Sequence, residues 1–376
     1  MQVNNTIRFQ GPVLQHLLFQ KPQVNLARSS SIRMWLVSIC AGLTILQSAL
    51  TDSFASLLIA VAAVTGALLT EFIIDDQSVR RIILEGDLPK RGRGFASRDG
   101  SAIASALVLT LLLPNTIHPL FAFLGAVFAM LVIKHSFGGL GTNWLNPALG
   151  AWLFIRIGWP GVFSLALQNS SLSLLTASLQ IGVDPQGSPL ELLYTASSGS
   201  LDTFWTSLLN RKIFSLTASE LPEGYIDLLA YSSTGIIADR GLLALLFGTI
   251  IITAGRISRF WVPLLYLGVY GLLVRLFGRL PFGGSFGAGD MLFGLFSGGT
   301  LAAAFILIAD PSTGPKSSLG MVIAAVLGGI LNFILRYWGL EPYGAFFAVA
   351  LLNVLSPLFR YGETRFVFTG GIHAKH

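Results

Sequence analysis

Apolar runs close to membrane-spanning length, separated by short basic loops, recur along this chain from about residue 34 to residue 358. They fall at roughly 34–50, 54–74, 119–133, 241–255, 261–277, 290–309, 319–336 and 343–358. A helix needs about 20 apolar residues to cross a bilayer, and it must satisfy its own backbone hydrogen bonds while doing so. With 53% hydrophobic and 11% charged residues among 376, a soluble globular fold is excluded. The expected class is therefore all-α and polytopic, with about ten transmembrane helices.

Charge placement gives the topology. Arg80, Arg81, Lys90, Arg91, Arg93 and Arg98 crowd one loop, and Arg256, Arg259, Lys316 and a basic tail mark further loops. The positive-inside rule assigns these to the cytoplasm, although Arg275 and Arg279 fall on the outer side. Residues 1–32 read as a cytoplasmic amphipathic segment with no signal-peptide pattern. Residues 33–167 form a first membrane half, 168–240 an extracytoplasmic segment, 241–358 a second half and 359–376 a cytoplasmic tail. Two sets of five spans would run inverted relative to one another, and hydropathy alone carries that expectation.

The stretch Gly138 to Phe154, GGLGTNWLNPALGAWLF, sets a polar, glycine-rich loop at the head of an apolar helix. Pro147 suits a first helical turn, where its missing N–H costs nothing. Gly138 and Gly139 allow close backbone approach to a ligand, and Thr142, Asn143 and Asn146 supply donors and acceptors. One reading is a broken helix lining a site, since irregular polar backbone at membrane depth must be buried in protein or line a cavity. The other is a helix-entry loop whose amides cap backbone groups. The two stand on equal footing from these residues.

Residues 101–113 are too short for a full span and lie between Asp99-Gly100-Ser101 and Pro114-Asn115. They read as a half-helix, a device that builds sites near the membrane midplane. Glu71 and Asp310 lie in or beside apolar runs, where ionisable groups are costly and mark ion or quinone pathways. Asp310-Pro311 also reads as an Asx-type turn ending a helix. Gly298, Gly299 and Ala302 to Ala304 read as close helix packing. The lone Cys40 excludes a disulfide within the chain, and no phosphate loop or dinucleotide fingerprint is present. A solute channel, a carrier and a cofactor-holding redox subunit all satisfy these residues.

Four blocks narrow the choice by resemblance. GGLGTNWLNPALGAWLF resembles the G-G-x-G-x-N-x-x-N-P-A signature of one membrane flavoprotein family. That family contains the Rnf D subunits and the B subunits of the sodium-translocating NADH:quinone reductase. RDGSAIASALVLTLLLP, FSGGTLAAAFILIADPSTGP and GAFFAVALLNVLSPLFR follow the family's other blocks in order. LPEGYIDLL (Leu221 to Leu229) resembles the Rnf D subunits more closely. The resemblance implies a non-autonomous subunit of an ion-translocating electron-transport complex in the bacterial inner membrane. It further implies ten helices in two inverted halves and companion subunits as partners. Riboflavin near Asn143 and Asn146, and FMN attached through its phosphate, are the implied cofactors. The implied attachment point is Ser188, in VDPQGSPLELL, where the family carries threonine. Arg360 stands where the reductase has an acidic residue, and Asp239 roughly replaces a family glutamate. The competing reading is an inverted-repeat, urea-channel-like solute channel without a redox cofactor.

Overall fold

The computed structural model describes residues 30–51, 54–85, 100–136, 143–163, 200–212, 236–255, 259–282, 284–310, 312–315, 317–339 and 341–371, with Ser215, Ile226 and Leu229. Among these the protein is helical throughout. The sole extended pairing among them is an isolated bridge between Pro114 and Ile236. The first series of helices comprises α1 (Ser30–Thr51), α2 (Ala55–Glu85), α3 (Ser101–Leu112), α4 (Pro119–Phe128) and α5 (Pro147–Gly158). A separate helix, α6 (Ser200–Lys212), follows in the segment between the halves. The second series comprises α7 (Ile237–Arg240) with α8 (Leu242–Ala254), α9 (Trp261–Phe277), α10 (Met291–Phe296) with α11 (Thr300–Ala302), α12 (Ser318–Phe333) and α13 (Gly344–Gly371).

By length and composition, α1, the Ala55–Ile74 part of α2, and Ser318–Trp338 can each cross a membrane alone. The other spans are shorter, and the half-helix expected at 101–113 is α3, Ser101–Leu112. It starts abruptly because Gly100 is left-handed (φ 75°), a conformation only glycine adopts freely. Three features go beyond the sequence reading. The basic loop after the second span begins as helix, since α2 runs on to Glu85. The region 290–309 is not one span: Gly298 and Gly299, at φ 64° and 69°, break it between α10 and α11. Those glycines serve a break and not merely close packing; a Cβ on Gly298 would come within 2.6 Å of the Pro342 carbonyl oxygen. α13 also runs on through the segment from 359 as far as Gly371. The N-terminal segment and most of 168–235 lie outside the described residues.

Both series repeat one plan. α2 packs on α4, and α9 packs on α12 in the same way. Each of α4 and α12 ends in a π-helical stretch, Ala129–His135 and Ile334–Trp338 respectively. Each half-helix begins directly after a left-handed glycine, Gly100 or Gly299. The halves meet where α1 packs against α7 and α8, and where the fully buried Trp152 of α5 sets its ring edge-on to Tyr343, Phe346 and Phe347. A hydrophobic core with Leu109, Leu111, Leu149 and Phe346 joins them.

Candidate functional site

Three polar clusters stand out in this apolar interior. The first heads α5. Asn146 is extended (φ −62°, ψ 127°), and its Oδ1 accepts from the Ala148 N–H at 3.0 Å and the Leu149 N–H at 3.4 Å. It is therefore the N-cap, and Pro147 follows in the first turn. Its Nδ2 donates to Asp310 Oδ2 at 2.8 Å, so the amide also spans the two halves. Asp310 Oδ1 accepts from the Ser312 N–H at 2.9 Å and its hydroxyl at 2.8 Å, which is the Asx-type turn read from ADPST. Asn143 is buried and Trp144 half-buried beside it. At the other end of α5, Arg156 Nη2 pairs with Glu341 at 3.1 Å and lies over the Phe163 ring. Gly138, Gly139, Thr142 and Ser188 lie outside the described residues.

The second cluster surrounds the start of α3. Lys134, on the π-helical stretch, donates to Glu71 Oε1 and to Ser101 Oγ, the latter at 2.7 Å. Glu71 has no exposed surface and Lys134 only 3%. Both are therefore interior groups, although their places at the ends of apolar runs suit a membrane edge. Glu71 Oε2 has no partner among the described residues. A buried carboxylate with one open oxygen retains room for a proton or a further donor.

The third cluster is its counterpart in the second half. Arg336, fully buried on the other π-helical stretch, directs Nη1 at Tyr270 OH (2.8 Å), Gly294 O (2.7 Å), Ser297 O (2.9 Å) and Thr300 Oγ1 (3.2 Å). Its Nη2 donates to Ser297 Oγ. Tyr270 precedes Thr300 by thirty residues, just as Glu71 precedes Ser101. The two trios, Glu71–Ser101–Lys134 and Tyr270–Thr300–Arg336, are thus equivalent under the repeat. In the glycine break beside Thr300, the Gly299 N–H lies 3.0 and 3.1 Å from the two oxygens of buried Asp239. Lys134, Ser101, Tyr270 and Arg336 do not stand out in the sequence reading. A signal existed for the two cations, each a basic residue at the end of an apolar run.

Comparison with known proteins decides the family. The model of the NQR2, RnfD, RnfE family matches residues 18–368, nearly the whole chain. The chain belongs to this family. Among similar proteins, the D subunit of the ion-translocating oxidoreductase complex of Pseudomonas paraeruginosa is 30% identical over 286 residues, covering 73% of this chain and 76% of that protein. The protein of the same name from Vibrio vulnificus is 27% identical over 370 residues, with 93% and 98% coverage. The D subunit of the proton-translocating ferredoxin:NAD(+) oxidoreductase complex of Clostridium ljungdahlii is 25% identical over 342 residues, with 90% and 91% coverage. These NQR2/RnfD/RnfE relatives match over most of their own length, so the likeness is to whole subunits and not to one shared motif.

Proposed function

We propose that this chain is the membrane subunit of an Rnf-type ion-translocating oxidoreductase complex, in which it holds flavin and relays electrons between companion subunits. Family membership supports the setting, as do relatives named as D subunits of such complexes. A bacterial inner membrane is the location that goes with it. For flavin, the supporting observation is the polar head of α5, where Asn143 is buried and Asn146 meets Asp310. Asn146 uses Oδ1 for the helix cap and one Nδ2 hydrogen for Asp310, which leaves the other hydrogen for a ligand carbonyl. Amides suit an isoalloxazine edge, which presents both acceptor carbonyls and ring nitrogens. Gly138, Gly139 and Thr142 complete the proposed riboflavin site, and Ser188 is the proposed attachment point for FMN. A bound flavin would supply the electron chemistry, while these residues would fix its position and polarity. Glu71 and Asp310 are the proposed pathway carboxylates for the ion.

The test uses Asn143→Leu in the assembled complex, because Asn146 has a second duty as the cap of α5. Flavin released by mild acid, per folded subunit, is expected to fall several-fold. An unchanged ratio overturns the site. Solute flux through the isolated, flavin-free subunit in liposomes would instead establish the channel reading.

A further inference from the structure

One helical turn from the Arg336 cluster, the second half carries two polar side chains that the first half lacks. Asn332 precedes Arg336 by four residues on α12, and Tyr266 precedes Tyr270 by four on α9. The repeat places Met130 and Ala67 at the equivalent positions, and both are fully buried. The fold itself therefore requires no polar atom at this depth. Asn332 and Tyr266 have no exposed surface either. Their side chains adjoin, yet Asn332 Nδ2, Asn332 Oδ1 and Tyr266 OH all lack a well-formed hydrogen-bond partner among the described residues.

An amide offers two donors and an acceptor oxygen with two lone pairs, and a phenol offers one donor and an acceptor. A single bond between the two side chains would leave most of that capacity unmet. A buried polar group left unsatisfied is costly, and the cost is higher where no water can reach it from lipid. α9 and α12 approach closely there, where a Cβ on Gly328 or Gly329 would come within 3.1 or 2.9 Å of Tyr266, so only something as small as a water would fit.

We propose that Tyr266 and Asn332 line a buried hydration site within the second half, one that takes water and excludes cations. A water molecule needs two to four polar partners, and the phenol and amide supply them. The groups acting electrostatically on Tyr266 are Tyr270 and Arg336, with no carboxylate among them, and the Arg336 guanidinium one turn away repels positive charge. This site is independent of the flavin proposal and makes the two halves chemically unequal. The first half presents a carboxylate with an open oxygen; in the second, a phenol and an amide lie one turn from Arg336, and the carboxylate of that cluster, Asp239, accepts from the Gly299 N–H.

Radiolytic labelling in ¹⁸O-water of the full-length protein in its complex tests the site, because a trapped water oxidises the side chain that holds it. Tyr266 is expected to label several-fold faster than Phe346, which is equally buried but packed among aromatic rings. In Asn332→Leu that excess should vanish. Labelling of Tyr266 no faster than Phe346 in the unaltered protein overturns the proposal, as does an excess that survives Asn332→Leu. If Asn332→Leu does not assemble, Tyr266→Phe removes only one oxygen, and the excess at position 266 should disappear there; its persistence overturns the proposal equally.

Discussion

Lys134 and Glu71 form an ion pair almost wholly shielded from solvent, and each is the other's counter-charge. Removing one member of such a pair costs about 3–5 kcal/mol, because the survivor remains charged and unpaired. Lys134→Met should therefore lower the apparent melting temperature sharply, and Glu71→Gln added to it should recover much of the loss. Thermal unfolding in detergent followed by intrinsic fluorescence checks this; a double variant as unstable as the single one would contradict the pairing. Arg336 differs, since its partners are a phenol, two hydroxyls and two carbonyls. Its planar fork matches several acceptors at once, which a lysine's point charge does not. Arg336→Lys is accordingly expected to destabilise the protein although charge is conserved. A melting temperature equal to that of the unaltered protein would contradict this role.

Helix ends show how much was legible in the sequence. The half-helix α3 could be read from its length and from Gly100, and the α5 start from Asn-Pro. The break before α11 was hidden, because Gly298-Gly299 within FSGGT fits close helix packing as readily as a left-handed kink. Only the backbone angles separate the two. Gly299→Ala should cost at least about 1–2 kcal/mol through its left-handed backbone alone, with the Phe346 ring adding a clash. Gly268→Ala, on the open surface of α9 with nothing near its Cβ, is the matched control and should be tolerated. Comparable melting of the two variants would contradict the break. At α5, the capping reading of Asn146 is the one the hydrogen bonds show. It caps the helix, and it also presents an amide toward the other half. Asn146→Ser keeps a capping oxygen and should melt near the unaltered protein, whereas Asn146→Ala should lose about 0.5–2 kcal/mol. Equal losses in both variants would mean that the Asp310 contact, rather than the cap, contributes most at this position.

Across the whole molecule, α5 belongs to the first half yet is tied to the second at both ends, through Asn146–Asp310 and Arg156–Glu341. Hydropathy showed two sets of five spans but no pairing between them. Contacts separated by 164 and 185 residues leave no periodic trace in one sequence. The same holds for the twin clusters, whose equivalence emerges only once α2 is seen on α4 and α9 on α12. The chain carries one cysteine and no nucleotide-binding fingerprint, and its relatives are named as subunits of larger complexes. The purified subunit alone should therefore fail to oxidise NADH or ferredoxin, and activity should return with its companion subunits. Oxidation by the isolated chain would contradict that dependence. Whether the subunit carries flavin at all is decided by its flavin content after purification from the native complex, by intact mass and by acid release. A covalent addition of FMN size on a peptide containing Ser188 is expected, together with non-covalent riboflavin. A subunit free of both, taken from a complex that still couples electron transfer to ion movement, would contradict the flavin-holding role.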